Sequence, residues 1–379
     1  MALDPPTDAA GLSLVKPPTR WTRQLILSIS RVWAFAFLAM LIVLFSLSVA
    51  ASSNGSVNFL TLRNSQNILV AITPVLLMGL GQTFVIIAGG IDLSVGWVMG
   101  LASCVSAMAL RDLYNGGMDF TLAVILGFAI GVASAMLVGG INGVIIARLQ
   151  VPPFIVTLGA SFVARGVALL LSGGQTVSGL PQQIRDVGNE SMLYYLGATG
   201  QWSIFQRPEI GADQLRSLDR VLPWPVVMTA IVVAIFMFLL HKTQFGRHTY
   251  AIGGNKEAAS RAGVPVMRHT ILLYVMSAMT AGMAGVLHTA RFTAGSPIAG
   301  DPLMLGSIAA VVIGGVSLFG GVGRISGTVI GALIIAVLQT GLVMLNVEPF
   351  WQFIVVGIVV IVAVLIDQSR DLIVGRAEG

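Results

Sequence analysis

Few residues in this chain can do chemistry, and most of them fall in two short strings. The first, Gly89-Gly90-Ile91-Asp92-Leu93-Ser94-Val95-Gly96, lies between two long apolar runs. An acid there invites a proton-relay or ion-coupling role. Its position just before the run starting at Leu93 offers a plainer use, in which the carboxylate accepts from the first backbone amides and caps a helix at the cytoplasmic interface. Gly89, Gly90 and Gly96 allow a tight turn and close backbone approach. The second string, Gly253 to Gly263, reads as a short capped helix. Asn255 is a good N-cap, Glu257 favours the macrodipole in the first turn, Ala258, Ala259 and Ala262 are strong helix formers, and Gly263 suits the left-handed stop. Lys256 and Arg261 make the string basic, and Glu257 and Arg261 are spaced to pair. A helix of two turns is marginal alone, so it is expected to dock on something.

Other chemistries are poorly served. Cys104 is the sole cysteine and lies in an apolar run, which leaves no disulfide framework and no thiol metal site. His241, His248, His269 and His288 are scattered, and no metal site is expected. No His, Cys and acid cluster has catalytic spacing, so an enzyme is disfavoured. Lys16, Lys242 and Lys256 follow Val15, His241 and Asn255, not the glycine a phosphate-cradling loop needs. If ATP drives this protein, another polypeptide hydrolyses it.

These strings must be positioned by membrane helices. With 56% hydrophobic and 10% charged residues in 379, the chain is far from the roughly 25% charged composition of a soluble domain. Windows of about 20 apolar residues predict about ten spans, near 32–50, 66–88, 93–110, 121–147, 153–171, 222–240, 268–290, 303–319, 326–345 and 350–366. The run broken by Gly314 and Gly315 is also compatible with a re-entrant segment. The fold class is therefore all-α, a polytopic helical bundle with both termini cytoplasmic. It divides into an N-terminal tail (1–31), a membrane domain (32–366) with an outer loop (172–221) and a cytoplasmic loop (241–267), and a C-terminal tail (367–379). Ser48-Val49-Ala50 resembles a signal cleavage site, but the long polar segment before the first run and the many spans after it favour an uncleaved anchor.

The net charge of +5 reports topology more than nucleic-acid binding. With the N-terminus inside, Lys16, Lys242, Lys256, Arg148, Arg247, Arg261, Arg268 and Arg324 are among the cytoplasmic cations. Arg165 lies inside an apolar run, close enough to its outer end for the side chain to snorkel, with substrate contact as the alternative. Gln82, Thr83, Asn142, Thr157 and Ser161 are candidates to line a path for a hydroxyl-rich neutral solute, although small polar residues in spans more often serve packing.

Gly81 to Ala88 together with the first string resembles the membrane subunits of bacterial ATP-binding-cassette importers for monosaccharides, the ribose-type permease family. Gly139-Gly140-Ile141-Asn142-Gly143, Pro153-Phe154-Ile155-Val156-Thr157-Leu158 and the stretch from Gly314 through Arg324 to Thr328 are similar to further family segments, in the expected order across about 66–366. The resemblance implies a transport subunit of the bacterial inner membrane that pairs with a second permease copy, takes sugar from a periplasmic binding protein, and couples through Asn255, Lys256, Glu257, Ala258, Ala259, Arg261 and Gly263 to a cytoplasmic ATPase. That ATPase would hold the ATP and magnesium, leaving no cofactor in this chain, and membrane lipid would surround it. Gly89, Gly90, Asp92, Ser94, Gly96, Gly314 and Gly315 would form gate or structural motifs. The paired glycines at 89 and 314 hint at an internal duplication. The outer loop is longer than the family pattern. An ion-coupled secondary transporter, or a permease of this kind for nucleosides, branched-chain amino acids or a furanone signal, remains the alternative.

Overall fold

The computed structural model describes residues 20–208, 210–211, 217–348, 350–359 and 361–362, with side chains of the first helix from Trp33 onward. The tail with Lys16 and its prolines, Glu209, Asp213 and Arg216 of the outer loop, and the C-terminal tail 367–379 lie outside the described residues.

Helices dominate: α1 (Arg20–Ser52), α2 (Leu62–Ile87), α3 (Val95–Asn115), α4 (Phe120–Arg148) and α5 (Pro153–Ser172) form the first half of the bundle. After the outer segment come α7 (Trp224–Lys242), α8 (Gln244–Gly254), α9 (Lys256–Arg261), α10 (Val266–Phe292), α11 (Asp301–Ile313), α12 (Ile325–Met344) and α13 (Phe350–Val359). Their ends follow local chemistry. Thr61 accepts from Asn64 N to start α2, Asp119 accepts from Leu122 N at 3.1 Å to start α4, and Pro153 opens α5, which stops at Gly173 with φ +63°.

Seven described helices, from α1, α2, α4, α5, α7, α10 and α12, are long and apolar enough to cross a membrane. The runs at 93–110, 303–319 and 350–366 form α3, α11 and α13, which fall outside that set. The 303–319 run stops early, at Ile313, because Gly314 and Gly315 end the helix. Its 13 residues extend about 20 Å, less than the roughly 30 Å hydrocarbon core.

The bundle is organised around α2, with 83% of its most apolar window buried, against 17 to 28% for α1, α4, α5 and α7. It packs on α10, α12, α11 and α7. Without a hydrophobic drive between helices in lipid, close contact comes from small residues. A Cβ at Gly81 would stand 2.5 Å from Ser277 Cα, and one at Gly143 would stand 2.7 Å from Ile271 Cα, so α2 and α4 both press directly on the backbone of α10. Phe84 of α2 then fills the space beside Phe236 and Phe245, with ring centroids 5.5 and 5.9 Å apart.

The all-α expectation needs one correction. The outer loop is folded, with α6 (Ile184–Asn189) followed by β1 (Ser191–Leu196), β2 (Gln201–Ile204) and β3 (Leu218–Pro223) in an antiparallel sheet of order β2-β1-β3. Leu193 pairs with Ile204 and Tyr195 with Trp202, whose rings lie 4.7 Å apart. The unit is tied to the end of α10. Asn189 Nδ2 donates to Arg291 O at 2.9 Å, and Val177 bridges Gly295.

Candidate functional site

α2 ends in a left-handed glycine turn. Ala88 N, Gly89 N and Gly90 N donate to Phe84 O, Ile86 O and Val85 O at 3.1, 2.9 and 2.9 Å, and Gly89 has φ +81°. α11 ends the same way. Gly314 N, Gly315 N and Val316 N donate to Ala310 O, Val312 O and Val311 O at 3.0, 2.8 and 3.2 Å, and Gly315 has φ +82°. The structural counterpart of Gly89 is therefore Gly315, one residue away from the match of the two sequence doublets.

The first turn carries Asp92 into the protein. Asp92 is 0% exposed. Its Oδ1 accepts from Ser94 N at 2.9 Å and Ser94 Oγ at 2.6 Å, and its Oδ2 accepts from Ser277 Oγ of α10 at 2.8 Å. Gln82 Nε2 donates to the Asp92 carbonyl at 2.6 Å, Asn142 Nδ2 of α4 donates to Ser94 Oγ at 3.1 Å, and Thr157 Oγ1 of α5 reaches Ile91 O at 3.3 Å. One turn thus binds α2, α4, α5 and α10 together. The expectation of a cap at the interface is corrected in two respects. The N-cap of α3 is Ser94, which makes no side-chain cap bond, and Asp92 bonds the N-cap residue itself. The turn is also sunk inside the bundle, since Thr157 lies four residues above the start of α5 and Asn142 six residues before the end of α4, or about 6 to 9 Å at the helical rise. Gln82 Oε1, Asn142 Oδ1 and Tyr274 OH are buried polar atoms around the turn with no partner among the described residues.

The sequence candidates for path lining belong to this same interior. Gln82, Thr83 and Thr157 are 0% exposed, Asn142 1% and Ser161 6%. Thr83 Oγ1 pairs with Thr328 Oγ1 of α12 at 2.6 Å, and Ser161 Oγ bonds Leu158 O at 2.7 Å. In this conformation Gln82, Thr83, Asn142 and Thr157 tie separate elements together, whereas Ser161 bonds within α5. Gly96 serves close approach, for its Cβ would stand 2.8 Å from Gly300 O, just before α11. Arg165 does not extend toward the outer end of α5. Its guanidinium lies 4.6 Å over the Trp97 ring of α3.

The string from Gly253 to Gly263 forms α9 with the expected ends. Asn255 Oδ1 accepts from Ala258 N at 2.9 Å, and the chain turns out through Gly263 at φ +83°. Arg261 Nη2 meets Glu257 Oε1 at 2.6 Å, with their side chains 79% and 76% exposed, whereas Ala259 is buried. Lys256, Glu257 and Ser260 border a cleft of about 660 Å³ closed by Gln150 after α4 and Arg268 of α10. Its lining sets Lys256 and Arg268 beside Glu257.

Sequence reasoning missed α8. Its C-terminal residue but one, Gly253, stands where a Cβ would overlap the Ile87 carbonyl oxygen. That oxygen accepts from Gly321 N at 2.8 Å, and a Cβ on Gly320 would stand 3.1 Å from Gly89 N. Tyr250 OH donates to Gly323 O at 2.7 Å. Burial pushes the Tyr250 phenol up from its ordinary value, against the opposing charge of Arg324, and so keeps it a donor. The end of α8, the turn after α2 and the loop after α11 therefore meet backbone to backbone. A junction of this kind can pass movement of α9 to the Asp92 turn without flexible side chains between. The only available signal was the run of glycines at 253, 254, 320 and 321, whose partners are far apart in sequence.

A family profile described as branched-chain amino acid transport system / permease component matches residues 64–364. Among curated proteins, the chain is 37% identical to the ribose import permease protein of Bacillus subtilis over 335 residues, 88% of this chain and 92% of that protein. It is 36% identical to the xylose transport system permease protein of Haemophilus influenzae over 346 residues, 82% of this chain and 90% of that protein. It is 34% identical to the L-arabinose ABC transporter permease protein of Azospirillum brasilense over 339 residues, 89% and 90% of the two. No solved structure matches.

Proposed function

Because the chain belongs to the branched-chain amino acid transport system / permease component family, we infer that it is the membrane subunit of an ATP-binding-cassette importer carrying a monosaccharide across the bacterial inner membrane. It is a transport subunit, not an enzyme, and ATP is hydrolysed by a separate partner. The observation that carries the sugar reading is similarity over most of the chain to permeases named for ribose, xylose and L-arabinose. The scarcity of buried charge agrees with a neutral cargo.

In this reading α9 seats on the ATPase through Asn255, Lys256, Glu257 and Arg261. ATP-driven closure shifts α9 and α8, the glycine junction carries the shift to the Asp92 turn, and the helices around it change which side of the membrane the path faces. This is coupling through a bistable element. Magnesium and ATP stay with the partner. A periplasmic sugar-binding protein delivers cargo at the outer unit of α6 and β1–β3. A second permease copy completes the path, surrounded by lipid. With α3, α11 and α13 added to the seven longer helices, the bundle has ten membrane segments and both termini in the cytoplasm.

The test is uptake of labelled pentoses, hexoses, leucine and a nucleoside into proteoliposomes holding this chain, its ATPase and its binding protein. Uptake of one sugar that requires ATP and survives collapse of ion gradients supports the reading. Uptake by the lone chain following a proton or sodium gradient replaces it with an ion-coupled transporter.

A further inference from the structure

The outward face of α5 is apolar for almost its whole length. Phe162 is 62% exposed, Val163 67% and Leu170 83%, and nothing stands within 4 Å of a Cβ built on Gly159 or Gly166. Arg165 breaks this pattern. It lies on the flank of that face, at the seam with α3, twelve residues above Pro153 and seven below Ser172, or about 18 and 10 Å from the two helix ends. It is exposed, and among the described residues its guanidinium forms no ion pair.

A cation on the outside of a membrane helix has three stable environments: the headgroups reached by snorkelling, a carboxylate, or water in a path. The first requires the side chain to extend along the helix, but Arg165 is folded sideways with its guanidinium 4.6 Å over Trp97, an indole that is itself 8% exposed. The second has no carboxylate in reach among the described residues. We propose that Arg165, held by Trp97, is a sugar-contacting subsite on a water-filled path between α5 and a second copy of this chain. The chemistry suits a neutral polyol. A stacked guanidinium keeps its N–H donors in a fixed plane, and those donors match adjacent hydroxyls without needing an anionic partner. Trp97 is a positioning residue, supplying the face that fixes that plane. Gly159 and Gly166 leave room on the same helix for a solute or for a facing helix at close range.

The inference rests on the sugar-importer reading, and the test separates the two. Cys104 is the only cysteine, so a Cys104→Ala background carries single cysteines at Gly166 and, as a lipid-facing control, at Ile235 of α7. Membranes are treated with a charged, membrane-impermeant thiol reagent or an uncharged permeant one, without ATP. The expected result is that the charged reagent modifies Gly166→Cys but not Ile235→Cys, and that the transported sugar, and not a sugar left behind in the uptake panel, slows the reaction at least threefold. A Gly166→Cys that reacts only with the uncharged reagent, like Ile235→Cys, overturns the path. In uptake assays Arg165→Lys and Arg165→Ala raise KM at least tenfold with a smaller change in kcat, and Trp97→Phe raises it less. An unchanged KM in Arg165→Ala overturns the sugar contact. Thiol access needs this chain and its second copy but neither ATP nor the ATPase and binding protein, so failure of ATP-driven uptake sinks the importer reading separately.

Discussion

Gly253 of α8 lies against the Ile87 carbonyl of α2 so closely that a Cβ at 253 would overlap its oxygen, and it would also stand 2.5 Å from Gly321 N, the donor that bonds the same oxygen at 2.8 Å. Both obstacles are backbone, so neither can rotate away. Gly253→Ala must therefore separate α8 from the turn or break the Gly321 bond. The expected outcome is a loss of transport of tenfold or more while the ATPase still binds and hydrolyses ATP. Gly254→Ala has open space around its Cβ and changes stability by no more than about 0.5 kcal/mol. Comparing ATP hydrolysed per sugar moved in the two variants checks the junction. Equal coupling in both would remove it as the transmission point.

Asp92 gathers three hydrogen-bond donors from Ser94 and Ser277 while fully buried. Replacing it by Ala strands those donors, at about 1–3 kcal/mol for each one left unsatisfied. Asp92→Asn keeps one acceptor oxygen, and the serine hydroxyls can turn to accept from the new amide, so it costs less. Thermal unfolding in detergent is expected to order the proteins wild type, Asn, Ala. In proteoliposomes Asp92→Asn retains ATP-driven uptake with no new dependence on an ion gradient. A stably folded Asp92→Asn whose uptake loses a proton or sodium dependence present in the wild type would falsify the structural role.

How much of this was legible depended on how local each signal is. Apolar runs of 20 or more residues reflect a constraint acting within a single helix, and α2, α4, α5, α7, α10 and α12 begin and end within a few residues of the expected runs. The cap of α9 was equally legible, because Asn255 and Gly263 act on neighbouring amides. The outer sheet was missed although Met192-Leu193-Tyr194-Tyr195-Leu196, a Gly-Ala-Thr-Gly turn and Gln201-Trp202-Ser203-Ile204 carry a hairpin pattern. In a chain this apolar, a short aromatic run between long spans reads as loop. The depth of Asp92 was not legible at all. Hydropathy places it between two spans, and only the packing of α4, α5 and α10 around the turn sets how far it sinks. The same limit applied to Arg165, whose partner Trp97 lies on another helix.

The Glu257–Arg261 pair is more than three-quarters exposed on both sides. Such a pair on a helix contributes about 0.3–0.5 kcal/mol, so Glu257→Ala is expected to leave thermal stability nearly unchanged. In the proposed function its surface faces the ATPase, and on that reading the variant is expected to lose most ATP-driven uptake and to co-purify less ATPase. Asn255→Ala removes the cap bond to Ala258 N and loosens α9 by about 1 kcal/mol, giving a similar but weaker defect. Stable Glu257→Ala protein with wild-type uptake would move the ATPase contact elsewhere.

Tyr250 clamps α8 to the loop after α11 through its bond to Gly323 O at 2.7 Å. Removing the hydroxyl in Tyr250→Phe costs about 0.5–1.5 kcal/mol and is expected to lower uptake severalfold without disturbing ATPase binding. The pH dependence has a definite sign. Burial raises the phenol above its unfolded value of 10.0, so the folded protein holds the proton more tightly. The stabilisation is complete below that unfolded value and is lost as pH rises through the higher folded one. Wild-type protein therefore loses stability faster than Tyr250→Phe on alkaline titration, and both behave alike from pH 6 to 8. Unfolding midpoints of the two proteins from neutral to alkaline pH measure it directly, and parallel curves above pH 10 would show that the phenol is not held as the Gly323 donor.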